Sequence, residues 1–259
     1  MRTIAVANQK GGCGKTTTSV NIATALAELG HNVLIIDLDP QGHATLGLGH
    51  TPDDLDKTIY DVLTDKMIPL SRVALSCKAS RLNIAPSNIL LSGVEIELAG
   101  IYGREYVLRD KIEALNGTYD ICVIDCSPSL SLLTLNALVA SSEVIIPVQT
   151  QYYSLEGLRQ LLETIDIVQG RFNSQLNILG VLLTFVDGRT TLSKQIQKQM
   201  RDYFGELVFD TVIHRTVRLA EAPSCGESVL TYDPQNKGAK EYRALAQEII
   251  YGKAKVRAS

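Results

Sequence analysis

The chain has 259 residues, 45% of them apolar and 20% charged, with 8 Pro and a formal net charge of −3. That length suits one large or two small domains at roughly 150 residues each, and the composition excludes a disordered or low-complexity chain. No apolar run approaches the ~20 residues of a membrane-spanning helix, and the slight acidic excess gives no overall attraction to nucleic acid.

The N-terminus, Met-Arg-Thr-Ile-Ala-Val6, lacks the apolar core and cleavage site of a signal peptide, so a cytoplasmic location is expected. Ile4–Ala7 is the first apolar, β-branched run and predicts a buried strand. A Gly-rich loop follows, then a helix-period segment from Thr16 to Leu29 with Ile22, Leu26 and Leu29 on one face. Further strands are predicted at Val33–Ile36, Leu82–Ala85, Ile121–Ile124, Val144–Val148 and Ile178–Phe185. Helices are predicted over Arg104–Leu115, Leu155–Val168, Ser193–Tyr203 and Ala239–Ile250. Strands alternating with helices make a mostly parallel twisted sheet covered on both faces, an α/β domain over residues 1–250 with a short basic tail at 251–259. Ligands of such sheets sit at the carboxyl ends of the strands, so the residues after Ala7, Ile36, Ile124 and Val148 are the ones to inspect. The five cysteines (13, 77, 122, 126 and 225) contain no C-x-x-C pair; Cys122 and Cys126 read as small core residues, with metal or iron–sulfur ligation a minor alternative.

The loop after the first strand reads Lys10-Gly11-Gly12-Cys13-Gly14-Lys15-Thr16-Thr17 and opens directly into a helix. Glycines let backbone N–H groups approach phosphate oxygens, the helix N-terminus adds its dipole, Lys15 neutralises β/γ-phosphates, and the Thr16 hydroxyl can ligate Mg²⁺. Gln9 stands where the strict G-x-x-x-x-G-K-[ST] pattern has its first Gly, and Lys10 is an additional lysine. A dinucleotide G-x-G-x-x-G is excluded because Thr17 occupies its third glycine position, so the loop predicts a mononucleotide and a single-domain P-loop NTPase. Asp37 and Asp39 follow the second strand at i, i+2, a spacing that directs both to one face of an extended chain. Asp125 ends an apolar strand, where a carboxylate can hold Mg²⁺ directly or through water.

These motifs resemble the ParA/MinD superfamily of deviant Walker A ATPases. The segments Asp37-Leu-Asp39-Pro-Gln-Gly42, Ala44-Thr-x-Gly-Leu-Gly49, Ile124-Asp-Cys-Ser-Pro128, Val217-Arg-Leu-x-Glu-Ala-Pro-Ser224 and Tyr232-Asp-Pro234 are similar to its Soj-type partition branch. The likeness runs from Met1 to about residue 250. It implies ATP and Mg²⁺ as ligands, with Lys10 and Gly11 to Thr17 around the phosphates. Lys10, Lys15 and Asp39 would serve hydrolysis, Asp39 positioning the attacking water and Lys10 reaching the phosphates of a partner across an ATP-bound homodimer. Thr16, Asp37 and Asp125 would form the metal shell. It further implies adenine contacts from His214 and Thr216, non-specific double-stranded DNA binding through Arg189 and Arg218, a ParB-like adaptor that stimulates hydrolysis, and a nucleoid-associated location without membrane attachment. Lys194, Lys198, Arg215 and Lys240 are expected as weaker DNA contacts. From Asp187 to Ser259 there are 12 basic and 9 acidic residues, against 13 and 19 before them, which fits a basic surface toward the C-terminus. Three positions depart from the family pattern: Gln151 replaces a Glu that faces the dimer interface in relatives, and His214 and Thr216 flank Arg215 where a Pro-Arg-Asn is usual. The alternatives are an ATPase positioning a protein assembly, a membrane-cycling ATPase, which the tail without an apolar face disfavours, and an ATP-dependent metabolic ligase of the superfamily.

Overall fold

The computed structural model describes residues 1–115, 117–150 and 154–252, with the side chains of 154–157 outside that description; Gln151 and most of the basic tail therefore lie beyond it. The chain opens with β1 (Arg2–Val6), α1 (Lys15–Glu28), β2 (Val33–Leu38), α2 (His43–Gly47) and α3 (Ile59–Thr64). It continues with β3 (Leu75–Ser76), β4 (Leu82–Ala85), α4 (Val94–Glu97), α5 (Val107–Glu113), β5 (Ile121–Cys126) and α6 (Leu132–Ala140). The last third holds β6 (Glu143–Gln149), α7 (Ser154–Arg171), β7 (Asn177–Thr184), α8 (Thr191–Phe204), α9 (Val217–Glu221), α10 (Val229–Tyr232) and α11 (Lys237–Tyr251).

The strands form a single sheet in the order β3-β4-β2-β5-β1-β6-β7, parallel throughout except for the antiparallel β3–β4 edge pair. Side chains alternate between the two faces at every residue. Leu34, Ile36, Cys122, Ile124 and Cys126 therefore enter one core with α3, α5, α6, α7 and α8. Val33, Ile35, Ile121 and Val123 enter a second core with α1, α2, α10 and α11. Both faces are covered, which is why the central strands read as unbroken apolar runs. Cys122 and Cys126 are buried in the first core, as expected of small core residues. Among the described residues no helix is long and apolar enough to cross a membrane.

The expected strands are all present, and the structure adds the two-residue edge β3. The segment expected as one helix over Arg104–Leu115 divides into a 3-10 turn at Arg104–Tyr106 and α5. α6 is absent from the sequence expectation because Leu-Leu-Thr-Leu-Asn-Ala-Leu-Val-Ala has no polar face to mark a helical period. Its carbonyl end is satisfied from outside: the Asn173 amide donates to Leu138, Val139 and Ser141 oxygens at 3.1, 3.1 and 2.6 Å.

Candidate functional site

The parallel central strands β1, β2, β5, β6 and β7 all point their carboxyl ends to one edge, and the Gly-rich loop occupies it between β1 and α1. Gly12 and Gly14 have φ of 70° and 92°, a left-handed backbone that costs a residue with Cβ. A Cβ on Gly14 would also stand 3.3 Å from the Phe185 ring. Three side chains fix the loop through four hydrogen bonds. Asn8 accepts the Lys10 N–H at 3.0 Å while its amide donates to Pro147 O at 2.7 Å; Thr184 Oγ1 donates to Cys13 O at 2.7 Å; Lys15 Nζ donates to Lys10 O at 3.2 Å. Gly14 caps α1 without a side-chain hydrogen bond, so the first-turn N–H groups of Lys15, Thr16 and Thr17 are left for an anion.

This loop bounds a cavity of about 370 Å³ through Gly11, Gly12, Gly14, Lys15, Thr16 and Thr17. Asp39, Gln41 and His43 close it from the segment after β2, and Pro128 and Phe185 from the ends of β5 and β7. Asp39 lies at the cavity wall with 9% exposure, its Oδ1 accepting the Gln41 N–H at 3.0 Å.

The i, i+2 spacing leads to a different outcome for Asp37. β2 ends at Leu38, where the chain bends because Asp37 Oδ1 accepts the Asp39 N–H at 3.2 Å. Its Oδ2 accepts both the N–H and the hydroxyl of Thr45, at 2.9 and 2.7 Å. Asp37 thus ties the Asp39 segment to α2 and does not line the cavity. Asp125 is its register neighbour on β5, and both are fully buried. Ser19 Oγ donates to Asp125 Oδ1 at 2.8 Å, whereas Asp125 Oδ2 is buried without a hydrogen-bond partner. Burial raises both carboxyls above the ordinary range. For Asp125 the nearby Asp37 adds to the rise and the Thr16 and Ser19 hydroxyls oppose it; for Asp37 the Thr45 hydrogen bonds oppose it. A buried carboxylate oxygen left without a hydrogen bond is a costly arrangement that an oxygen-seeking cation such as Mg²⁺ would relieve.

A second cavity of about 680 Å³ is lined by Val186, Asp187, Arg189, His214, Thr216 and Lys237, among others. Its loop is held by two carboxylates of α11. Glu241 accepts the His214 N–H at 2.9 Å and meets His214 Nδ1 at 2.6 Å; Glu248 accepts the N–H groups of Asp210 and Thr211 at 2.7 and 3.0 Å. Thr216 caps α9 by accepting the Leu219 N–H at 3.3 Å. Arg189 and Arg218 are both exposed. Arg218 bonds Glu221 at 2.8 Å and Asp233 at 3.3 Å, which gives the Tyr232-Asp-Pro234 segment a contact with the Val-Arg-Leu segment. Lys194, Lys198, Arg215 and Lys240 are exposed as well, Lys198 paired with Asp202 at 2.6 Å.

The sequence expectation gives no role to Ser19, Thr45, Thr184 or Phe185, and marks Asn8 only as a strand-end position to inspect. Thr184 could have been found as a polar residue ending an apolar strand, and Ser19 as the hydroxyl one turn beyond Lys15 on α1.

A family model described as an AAA domain matches residues 1–178. The sporulation initiation inhibitor protein Soj of Bacillus subtilis is 48% identical over 95% of this chain and 97% of its own length. The chromosome partitioning protein ParA of Caulobacter vibrioides is 47% identical over 96% of this chain and 94% of its own. Among solved structures, a cobyrinic acid a,c-diamide synthase from Mycobacterium smegmatis with bound ADP and magnesium superposes with a TM-score of 0.85 at 38% identity, covering 98% of this chain and 97% of that one.

Proposed function

The chain belongs to the ParA/Soj family of P-loop ATPases, and from that premise we propose that it is a partition ATPase whose ATP-bound homodimer holds DNA without sequence preference. The observation that carries the reading is the meeting of Lys15, Thr16 and Asp39 around one cavity, with the unpartnered Asp125 oxygen beneath it. The glycine backbone and the uncapped first turn of α1 take the phosphates of ATP, and Lys15 supplies the neutralising charge. Thr16 and Asp125 would hold Mg²⁺, which when bound draws charge from the phosphate oxygens. Asp37 acts one layer out, fixing the Asp39 segment and α2. Asp39 accepts a hydrogen bond from the attacking water and orients it toward the terminal phosphate. Lys10, half-buried at the mouth of the loop, meets the phosphates of the second protomer and stabilises the charge that develops there, as an arginine finger does in trans. His214 and Thr216 border the base.

DNA contact falls to Arg189 and Arg218. Two exposed arginines per protomer bind a polyanion feebly, whereas a two-fold dimer doubles the contacts, so control of assembly by ATP becomes control of DNA binding. A ParB-like DNA-binding adaptor that accelerates hydrolysis would then release the complex, placing the protein on the nucleoid in its ATP state. A second reading, an ATP-dependent ligase, is favoured by the likeness to the cobyrinic acid synthase. The Val217–Ser224 segment and the higher identity to the partition proteins favour the first.

The test is a mobility-shift titration against unrelated duplexes at several salt concentrations, with ATP, ADP or no nucleotide. Binding is expected with ATP alone. Arg189→Ala and Arg218→Ala should each weaken all sequences alike and flatten a salt slope that runs at about −0.9 per phosphate contact. Undiminished binding in the double variant would move the DNA surface elsewhere, and no binding by the wild type with ATP would favour the ligase.

A further inference from the structure

Among the described residues only Arg81 and Phe185 have positive φ without being glycine, Phe185 at 50°. For a bulky side chain this is a genuine outlier, and such backbone persists only where the surroundings over-determine it. They do so here. On one side Thr184 bonds the phosphate loop through Cys13 O and passes its own carbonyl to the Thr150 N–H; on the other Val186 exchanges backbone bonds with Ile213 and Arg215 at 3.0 and 3.3 Å. Core packing does not explain the ring. Of the four phenylalanines, Phe209 sits in the second core and Phe172 and Phe204 pack against the first, while Phe185 belongs to neither and is only half-buried. Instead the ring lies across Gly14 and forms part of the wall of the phosphate cavity, and the next residue, Val186, lines the cavity of His214 and Thr216.

We propose that Phe185 is a stacking platform for the base of the bound nucleotide, an inference that rests on the nucleotide reading of the phosphate cavity. The backbone turn that rotates the side chain out of the β7 alternation is what lays the ring over the phosphate loop, at the border between the two cavities. An aromatic face offers a planar base dispersion and quadrupole contact that a triphosphate without a base cannot use. The residue therefore divides the binding of ATP into a charge-borne part, supplied by Lys15 and the α1 N-terminus, and a base-borne part supplied by the ring.

Calorimetric titration of ATP and of inorganic tripolyphosphate, at fixed Mg²⁺, into the wild type, Phe185→Leu and Phe185→Tyr tests this. Phe185→Leu should bind ATP about fivefold more weakly, the change that one base–aromatic stack of about 1 kcal/mol corresponds to. Phe185→Tyr should stay within about twofold of the wild type, since it keeps the π-face. Tripolyphosphate should bind all three equally. Phe185→Met serves in place of Phe185→Leu if the latter fails to give a cooperative melting transition. Unchanged ATP affinity in the leucine or methionine variant would overturn the proposal. So would an equal loss for tripolyphosphate, which would make the ring a support of the loop. A wild type that binds neither ligand would refute the phosphate reading itself and the inference with it.

Discussion

Gly226→Ala probes the joint between the hydrolysis segment and the Arg218 segment. α2 begins four residues after Asp39, and the chain beyond it crosses the stretch that follows α9, glycine against glycine. A Cβ on Gly226 would stand 2.6 Å from Gly49 Cα, and Gly226 has φ of 65°. An alanine in left-handed backbone costs about 1–2 kcal/mol. Forcing two backbones apart adds about 1–3 kcal/mol, since no flexible side-chain end is available to yield. The sum, about 2–5 kcal/mol, predicts a melting temperature roughly 5–15 °C below the wild type for a chain of this size. The displacement also passes along α2 to His43 and Asp39, so ATP hydrolysis in the folded variant should fall about tenfold or more. Gly93→Ala is the control: its φ is −86° and its Cβ meets nothing within 4 Å, so it should be neutral or stabilising by about 0.4–1 kcal/mol. Calorimetric melting and a steady-state phosphate-release assay read both effects. Gly226→Ala melting within about 2 °C of the wild type with full activity would refute the crossing as a tight constraint.

Asp39→Ala should bind ATP but stall hydrolysis and accumulate an ATP-locked dimer, whereas Lys10→Ala should bind ATP and fail to dimerise. Size-exclusion chromatography with ATP decides between them, and a monomeric, hydrolysing Asp39→Ala would remove Asp39 from its role. Ser19→Ala strips the partner from Asp125 Oδ1 and should shift the Mg²⁺ dependence of ADP affinity by about 10–100-fold. An unaltered Mg²⁺ titration would mean that Asp125 needs no such support.

The sequence announces what repeats or what is chemically rare. Val33–Ile36 and Ile121–Ile124 are legible as buried strands because both faces of the sheet are covered and no alternation is needed. The phosphate loop is legible because a Gly-rich turn between strand and helix has few other uses. What depends on a partner distant in sequence is not legible. Asp37 looks like a second cavity carboxylate until Thr45, eight residues on, occupies its oxygens. His214 and Glu241 meet across 27 residues, and Thr184 and Cys13 across 171. The short helices α2, α9 and α10 span four or five residues, too few for a period to appear. The strain at Phe185 is a backbone property with no signature in residue type.

ATP binding at the phosphate loop would rest most directly on Lys15, which is 7% exposed and tucked against the loop whose bound phosphates it would neutralise. Titrating Mg²⁺-ATP into the wild type and Lys15→Ala measures that claim. A charge-assisted partner lost from a buried site costs about 2–5 kcal/mol, so the variant should bind at least about thirtyfold more weakly while its melting temperature without nucleotide is preserved. Wild-type affinity in Lys15→Ala would contradict the assignment.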